Sequence, residues 1–163
     1  MRFKLLSVFA AVALLAACET ASDQSASSTG TGASTGASSS TQTRARSPQE
    51  ILTSEIGDRV FYDFDKSDLK PEARRTVERW AGFLKQYPNL TVTIEGHADE
   101  RGTREYNLAL GERRANSAKN FLVAQGIDAR RVATISYGKE RPAVVGSNEA
   151  AWSQNRRAVM VVN

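Results

Sequence analysis

The chain has 163 residues, of which 40% are hydrophobic and 25% are charged, and this length fits one globular domain with extensions. The formal net charge is +4, but basic and acidic residues are interleaved, so the composition argues against a nucleic-acid-binding protein. One histidine and one cysteine in the whole chain also argue against a zinc site built from imidazoles and thiolates.

Residues 1–17 have the pattern of a secretory signal peptide, with Arg2 and Lys4 before an apolar run over residues 5–17. A membrane-spanning helix needs about 20 apolar residues, so this run is short for one. A retained N-terminal anchor helix is the alternative. The tetrapeptide Leu15-Ala16-Ala17-Cys18 resembles a bacterial lipobox and favours cleavage before Cys18.

Cys18 is the only cysteine and therefore has no partner for an internal disulfide. The lipobox resemblance implies that Cys18 is lipidated, and several acyl chains are enough for lasting membrane attachment. Glu19 follows it where lipoproteins retained in the inner membrane of enteric bacteria carry aspartate. We therefore expect a lipid anchor in the outer membrane, with the domain facing the periplasm.

Residues 18–47 consist, after Cys18, almost entirely of serine, threonine, glycine and alanine with a few polar residues. Because this segment has no large apolar side chain to bury, we expect a disordered linker. About 28 residues of such a chain would span on average about 30 Å. The linker would give a tethered domain reach, and the globular domain would comprise residues 48–163.

Alternating apolar residues predict a first strand through Val60, Tyr62 and Phe64. A helix follows, with Pro71 in its first turn and an end at Tyr87-Pro88-Asn89. Its predicted buried face has helical spacing, and Trp80 is assigned to the core with Val77, Ala81 and Leu84.

Residues 91–95 predict a second strand, and residues 107–125 a second helix that stops at Gly126. The buried stripe of that helix is predicted to contain Leu108, Ala115, Ala118 and Leu122, with Arg114 at the edge of the core. Further predicted elements are a strand at 132–137, a helical turn at 148–152 and a strand at 157–162. The order β-α-β-α-β-β predicts a single α+β domain with its helices on one face of a mixed sheet.

The most informative stretch is residues 94–114, where a strand gives way to a charged loop and then to a helix. Asn107 and Arg114 are two helical turns apart and so lie on one helix face, while Asp99 stands just before that helix. A carboxylate and a guanidinium that converge on one point suit a ligand that carries both an ammonium and a carboxylate group.

The string GHADERGTREYNLALGERRA closely resembles the signature of the OmpA-like peptidoglycan-binding domain. The resemblance extends to FYDFDKSDL upstream and to SYGKERP and NRRAVMVV downstream, and it covers roughly residues 58–163. It implies an OmpA-like fold and a non-catalytic binding module without a cofactor. Within the family, it implies an envelope lipoprotein that acts with the Tol proteins, with TolB as a partner and TolA as a second candidate.

The resemblance also implies the ligand, which is meso-diaminopimelate in the peptidoglycan stem peptide. Asp99 would pair with its ammonium group, and Arg114 would hold its carboxylate through a planar fork that lysine cannot copy. Arg113, one position round the helix, is expected to be solvated. The further site residues that the resemblance implies are Asn107, Leu108, Tyr62, Asp63, Phe64 and His97.

Several of these residues have simpler interpretations. Asn107 would serve equally well as a helix N-cap, Leu108 and Phe64 as core residues, and His97 as a loop histidine bonded to backbone. The segment Asn155-Arg156-Arg157 matches the family pattern, and its expected role is structural.

An enzyme is the competing class of function. Two carboxylates suffice for a glycosidase, which makes a wall-cleaving hydrolase that uses Asp99 or Glu100 the alternative to a binding module, with Asp63 and Asp65 as other candidate acids. Such a pair would leave Arg114 without a role. No serine stands in a nucleophile-elbow context, so a serine hydrolase is not indicated.

Overall fold

The computed structural model describes residues 45–163. The predicted signal peptide, Cys18 and nearly all of the predicted linker lie outside these residues, so the predicted domain boundaries remain predictions. None of the helices among residues 45–163 combines the length and the apolar composition that a bilayer crossing needs.

The domain contains helices and strands in alternation. Along the described part of the chain they are α1 (Pro48–Ile51), which continues into a π-helical turn (Leu52–Ile56), β1 (Arg59–Phe61), α2 (Pro71–Gln86), β2 (Val92–His97), α3 (Arg104–Ala124), a 3-10 turn (Ala129–Arg131), β3 (Val132–Gly138), α4 (Glu149–Asn155) and β4 (Arg157–Val162).

The strands form one mixed sheet in the order β1-β4-β2-β3. Strands β2 and β3 are parallel, and β4 runs antiparallel to both β1 and β2. Because β1 and β2 run in the same direction, their carboxyl ends meet the start of β4 at one edge of the sheet. The predicted α+β class is confirmed, and this edge is where the polar residues gather.

The core lies where α2 and α3 pack against the sheet. Trp80, which is 0% exposed, belongs to this core as predicted, and its Nε1 donates a hydrogen bond of 2.6 Å to the carbonyl oxygen of Gly57. The same cluster contains Val77, Leu84, Ile94, Ala115, Leu122 and Met160.

Helix α1, the first helix within residues 45–163, and the π-helical turn after it were not predicted. Ser47 and Glu50 form a capping box at the start of α1, and Leu52 is completely buried. A four-residue helix is too short to give a periodic signal in the sequence, and it is held in place by its contact with the domain.

Two predicted boundaries were wrong. The first strand ends at Phe61, and Phe64 is 57% exposed and not a core residue, because the chain turns at Asp65, whose φ is 57°. Helix α3 begins at Arg104, since the Thr103 side chain accepts a hydrogen bond from the backbone N–H of Tyr106 and is therefore the N-cap.

Helix α3 lies unusually close to β2 and β3. An added Cβ on Gly138 would lie 2.8 Å from the backbone nitrogen of Leu108, and added Cβ atoms on Gly96 and Gly111 would collide across the helix–strand contact. Leu108, which was predicted to be buried, is only half-buried. Leu110, which is 5% exposed, is the buried leucine of this turn.

Candidate functional site

A cavity of about 160 Å³ opens at the sheet edge where β1 and β2 end and β4 begins. The segment after β1, the loop after β2 and the first turns of α3 form its walls. The lining residues are Phe64, Asp65, Asp99, Arg101, Gly102, Tyr106, Asn107, Leu110 and Arg114. The predicted pair, Asp99 and Arg114, therefore faces one cavity.

Arg114 is more deeply buried than predicted, with 0% of its surface exposed. Its Nε donates to the carbonyl of Lys66 at 2.9 Å, its Nη1 to that of His97 at 2.8 Å and its Nη2 to that of Asp63 at 3.1 Å. Burial lowers the pKa of Arg114 to about 10, so the guanidinium is still charged at neutral pH. Three of the five N–H donors of a guanidinium are thereby used, two on the turn after β1 and one at the end of β2.

Asp99 is 4% exposed and is held by two arginines. Arg101 donates to Oδ1 from its backbone nitrogen at 3.1 Å and from Nε at 3.2 Å, and to Oδ2 from Nη2 at 2.6 Å. Arg156 Nη1 lies 3.4 Å from Oδ2. Burial opposes ionisation of Asp99, but the hydrogen bonds from Arg101 outweigh it and lower the pKa of the carboxyl group.

Asp99 and Arg114 do not pair with each other within residues 45–163: Asp99 has ion pairs with Arg101 and Arg156, and Arg114 bonds to carbonyls. Both charges are therefore directed toward the cavity without neutralising one another. Such an arrangement can bind a ligand group that carries an ammonium and a carboxylate close together.

The Arg101 guanidinium lies between two aromatic rings, 4.0 Å from the centroid of Phe64 and 4.0 Å from that of Trp152. Trp152 in turn donates from Nε1 to Glu100 at 3.0 Å. The sequence did not point to Arg101 or Trp152 as site residues, because the two rings come from segments far apart in the chain. The only sequence signal for Arg101 was its position two residues after Asp99.

Asn107 is 2% exposed and lies inside α3, so its interpretation as an N-cap was wrong. Its Nδ2 donates to the carbonyl of Arg101 at 2.8 Å and braces the loop. Leu110 and Tyr106, which sequence reasoning missed, complete the wall, and Tyr106 hydrogen-bonds the Asp65 carboxylate. Leu110 is three residues after Asn107 and four before Arg114, so helical spacing would have found it.

Four of the expected site residues do not line the cavity with their side chains. Tyr62 is buried behind Arg114 and donates from its hydroxyl to the Arg114 carbonyl at 2.8 Å, and Asp63 forms a solvent-exposed ion pair with Lys70 at 3.1 Å. Leu108 and His97 also lie outside the lining set. These four residues lie around the cavity and not in its lining.

His97 is 2% exposed, and neither ring nitrogen has a hydrogen-bond partner in the described part of the chain. Burial lowers the pKa of its imidazole to about 4, so the ring is neutral at pH 7. The expected loop position was wrong, because His97 is the last residue of β2, and its carbonyl accepts from Arg114.

The segment before β4 is partly structural, as expected. Asn155 holds the preceding loop by accepting from the backbone nitrogens of Ala143 and Val144. Arg156, however, reaches the site itself, because it bridges Asp99 to the carbonyl of Tyr62 at 3.1 Å and to Glu149. Arg156 and Asp99 are 57 residues apart in the chain, and no pattern in the sequence indicates that they meet.

An α+β domain with a buried carboxylate and a buried guanidinium in one small cavity has the features of a binding module. The model of the OmpA family matches residues 61–156. A peptidoglycan-associated lipoprotein of Agrobacterium fabrum is 54% identical over 114 residues, which cover 70% of this chain and 64% of that protein. One from Pasteurella multocida is 42% identical over 157 residues, covering 96% and 95%.

The fold has a close counterpart among solved structures. The crystal structure of the peptidoglycan-associated lipoprotein from Burkholderia pseudomallei superimposes with a TM-score of 0.67 at 35% identity, over 72% of this chain and 100% of that one. The chain belongs to the OmpA family. Its relatives are named for association with peptidoglycan and not for catalysis, which confirms the prediction of a protein that is not an enzyme.

Proposed function

We propose that this chain is a lipoprotein of the outer membrane that binds peptidoglycan non-covalently, through diaminopimelate of the stem peptide, in the cavity between Asp99 and Arg114. The name of its relatives, peptidoglycan-associated lipoprotein, supports the general assignment. The ammonium of the ligand would lie against Asp99, and its carboxylate would take the N–H donors of Arg114 that no carbonyl uses.

The observation that carries this proposal is the pair of buried, opposite and mutually unpaired charges in one cavity of about 160 Å³. Burial strengthens charge-assisted hydrogen bonds, and a planar guanidinium matches a carboxylate in two contacts. Phe64, Tyr106 and Leu110 supply the apolar wall for the methylene part of such a ligand.

A hydrolase is less well supported. The pKa of Asp99 is lowered by Arg101 against the effect of burial, and that of Glu100 is lowered by hydrogen bonds from Ser147 and Trp152. Neither carboxyl group is therefore suited to hold a proton for a leaving group at neutral pH. Glu100 also faces a separate groove beside Lys139 and Val145, away from Asp99's cavity.

The wider role follows from the anchor and the partners. Lipidated Cys18 would hold the chain in the outer membrane, and the linker would let the domain reach the wall and tether the membrane to it. TolB, with TolA as a second candidate, would be the protein partners. This role would support envelope integrity and constriction of the outer membrane at cell division.

The test is to incubate the purified protein with sacculi and to measure both the protein that pellets and the muropeptides released. We expect wild-type protein to pellet and Asp99→Ala to remain in the supernatant, with no muropeptide release by either. Release of muropeptides that depends on Asp99 or Glu100 would instead establish the hydrolase. Equal pelleting of wild type and Asp99→Ala would refute the proposed site.

A further inference from the structure

The acceptor positions of Asp99 are all in use within residues 45–163. A carboxylate has about four lone-pair sites, and the structure fills them with three N–H groups of Arg101 and one of Arg156. A ligand ammonium that takes one of these acceptor positions must displace the donor that holds it.

We propose that the side chain of Arg101 is a built-in competitor for the ligand's ammonium group at Asp99, and that it sets the affinity of the site. This inference rests on the proposed function, because it assumes that Asp99 binds a ligand cation. Arg101 would have to release Nε and Nη2 from the carboxylate for the ligand to bind, while its backbone N–H keeps its contact.

The two arginines at Asp99 differ in how firmly they are held. The side chain of Arg156 is 7% exposed and is also bound to the Tyr62 carbonyl and to Glu149. That of Arg101 is 31% exposed. Arg101 can therefore turn out into solvent, whereas Arg156 is fixed, so Arg101 is the donor that a ligand displaces.

The surroundings of Arg101 give it a defined resting position. Its guanidinium lies between the rings of Phe64 and Trp152, and cation–π contacts favour that position. Gly102 follows Arg101 with a φ of 92°, and Arg101 and Gly102 both line the cavity. Displacement of Arg101 would also change the environment of the Trp152 ring.

Removing the competitor should strengthen binding. A partly exposed ion pair contributes about 1 kcal/mol, which corresponds to roughly fivefold in a dissociation constant. We therefore expect Arg101→Ala to bind a diaminopimelate-containing muropeptide roughly fivefold more tightly than wild type. A role of Arg101 in stabilising the loop or in contacting the ligand predicts the opposite direction.

The experiment is a calorimetric titration of the full chain in detergent with this muropeptide. The variants are Arg101→Ala, the charge-matched control Arg104→Ala, which removes an exposed arginine of the same region, and Asp99→Ala. A second muropeptide has its diaminopimelate amine acetylated. Arg101→Gln, which keeps most of the side-chain stem, provides a second variant in case Arg101→Ala unfolds the loop.

Tighter binding by Arg101→Ala or Arg101→Gln, with no gain for Arg104→Ala and no gain toward the acetylated muropeptide, would support the competitor. Unchanged or weaker binding by both Arg101 variants, while Asp99→Ala loses binding, would overturn it and leave the proposed function intact. Wild-type affinity in Asp99→Ala would overturn both. In wild type, the fluorescence of Trp152 should change on titration, and Arg101→Ala should reduce that change.

Discussion

Gly96 of strand β2 and Gly111 of helix α3 touch backbone to backbone. A Cβ added to Gly96 would overlap the carbonyl oxygen of Gly111, and one added to Gly111 would lie 2.9 Å from the carbonyl oxygen of Gly96. This contact fixes the height of α3 over the strand that leads into the Asp99 loop. Arg114 lies on this helix and Asp99 follows this strand, so the contact helps to place both charges of the cavity.

The first prediction concerns this contact. Gly96→Ala should destabilise the domain by about 3 kcal/mol or more, since the new methyl group meets backbone that cannot move aside. Gly82→Ala is the control, because Gly82 is an exposed position inside α2 with nothing within 4 Å of the added Cβ. That variant should gain about 0.5–1 kcal/mol. Urea denaturation measures both, and equal stabilities would contradict the close contact.

The second prediction concerns Arg114. Arg114→Lys should abolish pelleting with sacculi and lower stability by about 2–4 kcal/mol, because one ammonium cannot serve three carbonyls and also a ligand carboxylate. Arg113→Ala, which removes an exposed arginine one position away, should change stability by less than about 0.5 kcal/mol and keep binding.

Since Arg114 also stabilises the fold, a change in the ligand separates its two roles. Wild-type protein should bind a muropeptide with an amidated diaminopimelate carboxylate more weakly than the free acid. Equal binding of the two ligands, or similar behaviour of Arg113→Ala and Arg114→Lys, would remove Arg114 from the proposed site.

The third prediction uses the only histidine of the chain. Its folded pKa of about 4 lies below the ordinary 6.5, so the unfolded chain binds the proton first as the pH falls. The stability contributed by neutral His97 is thus complete above pH 6.5 and is lost between about 6.5 and 4. This predicts a loss of about 2 kcal/mol between pH 7 and pH 5.

His97→Phe keeps an aromatic ring and removes the titrating group, and it should flatten this part of the stability profile. Urea denaturation at pH 7, 6 and 5 gives the slope for each protein. An equally steep slope in His97→Phe would assign the pH dependence to other groups.

The fourth prediction tests where α3 begins. Thr103→Ala removes the cap on the backbone N–H of Tyr106 and should cost about 1 kcal/mol, whereas Thr103→Ser should be close to neutral. Thermal unfolding detects the difference, which corresponds to a few degrees in Tm for a domain of this size. Equal Tm values for the Ala and Ser variants would mean that Thr103 does not cap the helix.

The fifth prediction concerns the proposed anchor. Cys18→Ser should abolish incorporation of labelled palmitate, because no other cysteine exists in the chain to accept the diacylglycerol thioether. Fractionation should then find unprocessed or soluble protein. Wild-type labelling of the variant would disprove the lipobox assignment.

The sequence alone determined what depends on local pattern. The helices around Trp80 and Ala115, the strands at 132–137 and 157–162 and the α+β class were predicted because apolar periodicity reports which side of an element is buried. The convergence of Asn107 and Arg114 on one face was also predicted, because it follows from the repeat of an α-helix.

Only the tertiary structure decided which groups Asp99 and Arg114 meet. The carbonyls around Arg114 come from the turn after β1 and from the end of β2. Arg156 and Trp152 reach the Asp99 loop from more than 50 residues away, where no periodicity connects them. The close contact of Gly96 with Gly111 belongs to the same class. Such contacts form only when segments that are distant in the chain come together at the sheet edge. The sequence therefore predicted the two charged residues, and the fold determined which groups they bind.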